Sequence, residues 1–138
     1  MSPTKKETFS AEEKAAMRAR AKELKLATEG EEAVAASLKK MAPADRAIGK
    51  RVHELVKDVA PHLTPKTWYG MPAYANKDGK VVIYFRDAGK FKERYSMLGF
   101  NEAANLDAGS FWPVAFALPK LAKADEAKVK TLIKKAAS

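Results

Sequence analysis

The chain has 138 residues and a mass of 15.1 kDa, with 26 basic and 17 acidic residues, a formal net charge of +9 and a sequence pI of about 9.7. Hydrophobic residues make up 46% and charged residues 31%, so the composition excludes a wholly disordered, collagen-like or low-complexity chain. The chain has no cysteine, which excludes disulfide scaffolds, thiolate metal sites and cysteine nucleophiles.

Residues 1–30 form a charged N-terminal segment, which we expect to be helical or frayed. Ser10 and Glu13 have the spacing of a capping box, which predicts a helix from about residue 10 to residue 26. Glu29 and Gly30 then interrupt the pattern, and a second, short helix follows. Residues 31–138 are predicted to form a single domain.

The best-defined helix lies between Pro43 and Pro61, since proline suits a first helical turn and stops a helix at its end. Strand-like sequence follows over residues 67–75 and 80–86, and Asp78-Gly79 between them predicts a hairpin. Pro72 within the first of these strands favours an edge strand or a bulge.

Alternation along residues 81–86 places Val81, Ile83 and Phe85 on one side of the strand, which we expect to be the core side. The opposite side carries the other three residues, Val82, Tyr84 and Arg86.

Further strands are expected over residues 91–100 and 113–118, with a loop or a single helical turn at 101–109 between them. A closing helix is expected over residues 124–136. Helices, then an antiparallel meander, then a helix predict an α+β domain. Its sheet would have about four to five strands, with the N-terminal helices and the C-terminal helix packed on one face.

The aromatic residues are concentrated in the second half of the chain, where they can form either a core or an aromatic-lined groove. A groove beside charged side chains would suit a small anionic ligand. The candidate groove residues are Trp68, Tyr69, Met71, Tyr74, Lys90, Arg94, Tyr95 and Trp112.

Four residues of the third helix, Arg46, Lys50, His53 and Lys57, recur at steps of four, three and four, opposite its apolar face. Such a basic stripe is either a solvated surface or a set of phosphate contacts. With the aromatic side chains as stacking partners, it makes nucleic acid an alternative ligand.

Glu54 and Asp58 lie one helical turn apart, and His62 follows just after Pro61. Two carboxylates and an imidazole would suit ferrous iron, although a solvated flank explains the same residues. No nucleophile elbow, P-loop or dinucleotide-binding glycine pattern is present, so we predict no catalytic residues and no enzyme activity.

Several strings resemble the small bacterial YdhG-like family, a domain of unknown function. They are Thr8 to Glu13, Trp68 to Tyr74, Lys90-Phe91 with Arg94-Tyr95, Leu98-Gly99-Phe100, Asn105-Leu106-Asp107 and Trp112-Pro113. The resemblance implies a compact antiparallel sheet with helices packed on it. For some members it also implies intracellular iron handling of the frataxin-like kind, whereas such proteins usually expose an acidic surface.

We therefore expect a small binding module without catalysis, which takes a small anionic ligand or, by the resemblance, a metal ion such as iron. The alternatives are nucleic-acid or phosphate binding through a basic face, or a protein interaction domain, and the charged groove also makes an acidic protein a possible partner. The first residues lack the apolar run of a signal peptide, and no apolar stretch approaches the roughly 20 residues of a membrane helix. We expect a soluble cytoplasmic protein with no membrane partner, and the sequence leaves its oligomeric state open.

Overall fold

The computed structural model describes residues 9–138, and residues 1–8 lie outside the described part. Two long helices precede a five-stranded sheet, and a third long helix follows it. In chain order the elements are α1 (Ala11–Lys39), α2 (Pro43–Val59), β1 (Thr64–Trp68), β2 (Met71–Ala75), β3 (Val81–Arg86), α3 (Ala88–Phe91), β4 (Ser96–Phe100), β5 (Ala115–Leu118), a short 3-10 helix (Lys123–Asp125) and α4 (Glu126–Ala136). The α+β class predicted from the sequence is confirmed.

Helix α1 begins at the predicted capping box. The Glu13 amide donates to Ser10 Oγ at 3.0 Å, and the Ser10 amide donates to Glu13 Oε1 at 2.9 Å. The predicted interruption at Glu29 and Gly30 is wrong, because α1 continues without a break to Lys39. Gly30 is buried inside the helix at the point where α1 passes β1. The proposed boundary at residue 30 therefore falls within one helix.

The N-terminal half of α1 extends away from the rest of the molecule, since every residue from 11 to 26 is exposed. Only the C-terminal half packs on the domain, through Gly30, Val34 and Leu38. Helix α2 starts at Pro43 and ends at Val59, as predicted from its two prolines. The buried residues of α2 are Ile48, Gly49, Val52, Leu55 and Val56.

The strands form an antiparallel meander in the order β1-β2-β3-β4-β5. The prediction of one strand over residues 67–75 is wrong, because the chain reverses at Tyr69 and Gly70, both of which have positive φ, at 51° and 74°. Two such residues are typical of the tightest hairpin turn. Pro72 consequently lies in β2, which is an interior strand, and the irregularity of the sheet falls between Tyr74 and Ala75.

The hairpin predicted at Asp78-Gly79 is confirmed between β2 and β3. The Asn76 side chain closes it by accepting from the amides of Asp78 and Lys80 at 3.0 and 3.1 Å. The next predicted strand, over residues 91–100, is shortened to Ser96–Phe100. Asp87 instead caps the one-turn helix α3, where its carboxylate accepts from the Lys90 amide at 3.3 Å.

The core lies between one face of the sheet and the helices. Of the trio predicted to face the core, Ile83 and Phe85 are fully buried, whereas Val81 is half-buried. Gly49 lets α2 approach β3 closely, since a Cβ there would lie 2.9 Å from the Phe85 ring. The largest fully buried side chains are Tyr74, Phe85, Leu55, Ile83, Leu98 and Ile133. Among residues 9–138, no helix combines the length and the apolar character needed to cross a membrane.

Candidate functional site

The sheet has a second face that the helices do not cover, which we call the open face. Directly paired residues of an antiparallel sheet point to the same side, as do alternate residues of a strand. Beyond Thr64 and Ala75 at one end of the first hairpin, the pairings place ten residues on the open face: Lys66, Trp68, Met71, Ala73, Tyr84, Arg86, Met97, Gly99, Ala115 and Ala117. Lys66 on one edge strand and both alanines on the other are exposed, so solvent reaches the open face from both edges.

Aromatic rings meet at the centre of the open face. The rings of Trp68 and Tyr84 lie 5.2 Å apart between centroids, and the Tyr69 ring lies 4.9 Å from that of Trp68 at an interplanar angle of 69°. Trp68 and Tyr84 belong to strands that are not neighbours, so this ring pair spans β2. Both side chains are half-buried, whereas Tyr69 is 77% exposed. A ligand can therefore reach all three rings.

Small residues let these rings lie low on the sheet. Gly99 is paired with Tyr84, and a Cβ on Gly99 would lie 2.0 Å from Cζ of that ring. The Tyr84 ring therefore occupies the space above Gly99. Ala73 is fully buried although it belongs to the open face, since Trp68 and Tyr84 lie on either side of β2. The result is a shallow aromatic platform rather than a deep pocket.

The turn that carries Tyr69 is held by side chains from two other elements. Lys90 Nζ donates to the Tyr69 carbonyl at 2.8 Å, and Ser37 Oγ donates to the Gly70 carbonyl at 2.8 Å. Positive φ is uncommon for a residue other than glycine and is unfavourable for a tyrosine. These contacts hold the Tyr69 ring at the end of the platform in spite of that cost.

The charged residues of the open face are Lys66 and Arg86, and none of its ten residues is acidic. The Arg86 guanidinium lies 3.8 Å from the Phe91 ring centroid, and its Nε is 2.6 Å from Glu93 Oε1. Lys66 is exposed and makes no ion pair among the described residues. Positive charge therefore lies beside the rings at Lys66, whereas the charge of Arg86 is paired with the Glu93 carboxylate.

The predicted groove is only partly assembled. Trp68, Tyr69 and Met71 lie together, and Lys90 reaches the turn next to them. Tyr74 points to the opposite face of the sheet, where it is 1% exposed, so it does not share a groove with the Trp68 and Tyr69 rings.

The remaining groove candidates make no ring contact with Trp68, Tyr69 or Tyr84 among the described residues. Arg94 stacks on Tyr95 with 4.8 Å between guanidinium and ring centroid, in the segment before β4. Trp112 packs against the core from the segment before β5.

Tyr84 and Gly99 were not among the groove candidates. The alternation along β3 contained the necessary signal, because it placed Tyr84 and Arg86 on the side opposite the core. The pairing of Tyr84 with Gly99 could not be read from one strand alone.

The basic stripe of α2 is not a free cationic surface. Arg46 caps the end of α1, since its guanidinium donates to the carbonyls of Leu38, Lys39 and Met41 at 3.0 to 3.3 Å. Lys57 Nζ lies 2.7 Å from Glu31 Oε2. Of the four residues, Lys50 is exposed and makes no ion pair among residues 9–138.

His53, the fourth member of the stripe, lies between two polar side chains. Its Nδ1 is 2.9 Å from the Tyr74 hydroxyl and its Nε2 is 2.7 Å from Glu31 Oε1. Burial raises the pKa of Tyr74 well above its ordinary value, and the charge of Glu31 adds to this effect. Burial alone would raise the pKa of Glu31, but the hydrogen bonds from Lys57 and His53 outweigh it, so the pKa is lowered. Both ring nitrogens of His53 therefore have a partner within the protein.

Each of the three candidate metal ligands has another partner within the protein. Glu54 accepts from Arg51 at 2.9 Å, Asp58 lies 3.0 Å from Lys130 Nζ, and His62 Nε2 is 2.8 Å from the Ala137 carbonyl. Within the described part of the chain, no three histidine or acidic side chains are grouped in a way that could hold a metal ion. The predicted iron site therefore has no ligand set among these residues.

Two clefts lie beside α1. One, of about 790 Å³, separates α1 from the end of α2 and the first hairpin, and Glu31, Lys57 and Tyr74 contribute to its lining. The other, of about 780 Å³, lies between the end of α1 and the Tyr69-Gly70 turn, where it is lined by Lys40 and Lys90. The second cleft places Lys40 and Lys90, together with Asp87, next to the turn that carries Tyr69.

Neither a family model nor a curated protein nor a solved structure matches the chain. Membership of the YdhG-like family therefore stays a prediction.

Proposed function

We propose that this protein is a binding module for a planar, negatively charged small molecule, which stacks on the open face of the sheet. The observation that carries the proposal is the Trp68–Tyr84 ring pair, which spans β2 on the face without helices, with Lys66 on the same face. The proposed role is binding, not catalysis.

The chemistry of the platform sets the class of ligand. Aromatic side chains provide a large apolar area with little loss of conformational freedom, and stacked aromatic pairs contribute about 0.5–1.5 kcal/mol beyond the area that they bury. A flat ligand can use this area on an open platform, whereas a bulky one cannot. The lysine at the platform and the net charge of +9 favour a negative charge on the ligand.

Tryptophan fluorescence tests the proposal directly, because the chain has two tryptophans and Trp112 can be replaced. In a Trp112→Phe background the emission reports on Trp68. Adenosine monophosphate should quench it saturably, adenosine should do so more weakly because it lacks the phosphate, and inorganic phosphate should leave it unchanged. No saturable change at millimolar adenosine monophosphate would contradict the proposal.

Variants locate the binding on the open face. Tyr84→Leu should weaken binding through loss of stacking, and Lys66→Gln should weaken binding of the monophosphate but not of the nucleoside. Lys50→Gln is the matched control, because Lys50 is an exposed lysine on the helical side of the domain. An equal effect of the two lysine variants would show that net charge, and not the open face, attracts the ligand.

A further inference from the structure

We propose that the natural ligand of the open face is single-stranded nucleic acid, bound along the strands without strong sequence preference. This inference rests on the proposed function, because it assigns a ligand class to the same platform. It differs from the phosphate contacts expected on α2, since three of those four residues, Arg46, His53 and Lys57, are engaged within the protein.

The distribution of cations supports a ligand that is longer than one nucleotide. β3 has six residues, which corresponds to about 20 Å. Lys77 and Lys80 lie on either side of Asp78 in the hairpin before β3, and Lys90, Lys92 and Arg94 follow its other end together with Glu93, so each group has a net positive charge. The aromatic platform lies between these two groups. A strand of nucleic acid running along β3 would meet positive charge at both ends and rings in the middle.

Several carboxylates are held on the helical side of the molecule, away from this track. Glu31 pairs with Lys57, Glu54 and Glu126 pair with Arg51, and Asp58 pairs with Lys130. On the side of the track, Glu93 is held by Arg86 at 2.6 Å. These carboxylates already have cationic partners, so they would oppose an approaching phosphate less than free ones.

The form of the rings favours unpaired bases. Trp68 and Tyr84 lie low on a sheet face and the Tyr69 ring stands at its end, so a base must leave its own stack to lie against them. Every base has an aromatic face, so such stacking tolerates different sequences. A duplex offers only its backbone to the same surface, because its bases are stacked on one another. We therefore expect the platform to discriminate between single strands and duplexes.

A length series separates this inference from the proposed function. With the Trp112→Phe protein, an oligothymidylate of about eight nucleotides, within the known range of site sizes, should bind at least about tenfold more tightly than thymidine monophosphate. Oligomers that bind no more tightly than the monophosphate would overturn the inference and leave the proposed function standing. Failure of both would overturn both.

Three further measurements decide between stacking and general attraction of polyanions. A duplex of the same length should bind at least about tenfold more weakly than the single strand, and an oligoadenylate should bind within about threefold of the oligothymidylate. The plot of log affinity against log salt should fall with a slope of about −0.7 for each phosphate contact. Equal affinity for single strand and duplex would overturn the inference.

The variants identify the residues. Tyr84→Leu should weaken oligomer binding at least about fivefold with little change in the salt slope. Lys66→Gln should reduce the steepness of the salt slope by about 0.7, whereas the control Lys50→Gln should leave it unchanged. Lys66 and Lys50 are both exposed, so neither variant is expected to disturb folding. If Lys50→Gln changes the slope as much as Lys66→Gln, the strand does not bind on the open face.

Discussion

The backbone of Gly30 in α1 lies against the carbonyl of Pro65 in β1, so closely that a Cβ on residue 30 would be 1.7 Å from the carbonyl oxygen. β1 is an edge strand of the sheet, and a free edge is prone to pair with other chains. Proline at residue 65 removes one backbone donor from this strand, and α1 packs beside it. The glycine therefore permits the helix to shield the strand.

Gly30→Ala should destabilise the fold by about 3 kcal/mol, because either the helix or the strand must move to admit the methyl group. This result would oppose helix propensity, which favours alanine over glycine by about 1 kcal/mol. The midpoint of urea unfolding measures the change.

Ala35→Gly is the matched control, since Ala35 is an exposed position of the same helix. It should cost about 1 kcal/mol through propensity alone. A Gly30→Ala protein as stable as the wild type would show that α1 does not depend on this close approach.

Most elements follow from local sequence signals, but two of the errors in the fold concern glycines, Gly30 and Gly70. In the sequence Gly30 resembles a helix break. In the fold a glycine is required at this position because the carbonyl of Pro65, 35 positions away, leaves no room for a Cβ. Gly70 lies within an apolar, strand-like run, where the preceding residue is a tyrosine instead of the asparagine or aspartate usual in such turns. The role of Gly30 is not visible without its packing partner Pro65, and the turn at Gly70 is hidden because the residue before it is not one that favours positive φ.

As with the fold, the sequence predicted some residues of the candidate site but not the contacts between elements that complete it. Trp68 and Tyr69 are conspicuous in the sequence, and alternation gave the correct side for Tyr84. The position of Tyr74 depended on the turn at Tyr69-Gly70, which starts a new strand and sets the side to which each residue of β2 points. His53 and Lys57 of the α2 stripe are paired with Glu31 of α1, and this contact between two helices could not be predicted from the sequence of α2.

Arg46→Gln should destabilise the protein by about 1–2 kcal/mol, because three carbonyls at the end of α1 lose a charged donor. Thermal unfolding measures this loss. Binding of the monophosphate and of oligonucleotides should remain unchanged once the folded fraction is taken into account. Weaker binding with unchanged stability would indicate that Arg46 contacts phosphate and does not cap α1.

Glu31 should make stability depend on pH in the acid range. Its pKa in the folded protein is lowered from the ordinary value of 4.5, so the unfolded chain binds more protons in this window. The contribution of Glu31 is therefore present above pH 4.5 and is lost as the pH falls through the folded pKa. Glu31→Gln should be less stable than the wild type near neutrality, and the difference should shrink towards about pH 3.

Urea midpoints at the two pH values measure this difference. Glu32→Gln removes an exposed carboxylate that makes no ion pair among the described residues, and it should leave both midpoints close to those of the wild type. A difference between Glu31→Gln and wild type that is constant with pH would exclude a titration of Glu31 as its cause.

Gly99→Ala should weaken ligand binding by displacing the Tyr84 ring, which occupies the space that the new methyl group needs. In a Tyr84→Leu background, the same substitution should have little further effect on binding, because the ring that it displaces is already absent. The four proteins of this double-mutant cycle are compared by quenching of Trp68. Additive losses in binding would mean that Gly99 acts independently of Tyr84.

Tyr69→Asn should raise the stability of the protein and weaken its binding of ligand. Asparagine tolerates positive φ better than tyrosine, so the variant should be more stable by up to about 1 kcal/mol. The same change removes the exposed ring beside Trp68, so oligonucleotide binding should weaken several-fold. Thermal unfolding and Trp68 quenching are measured on the same samples. A ring that served only to pack the turn would give the reverse pattern, with lower stability and unchanged binding.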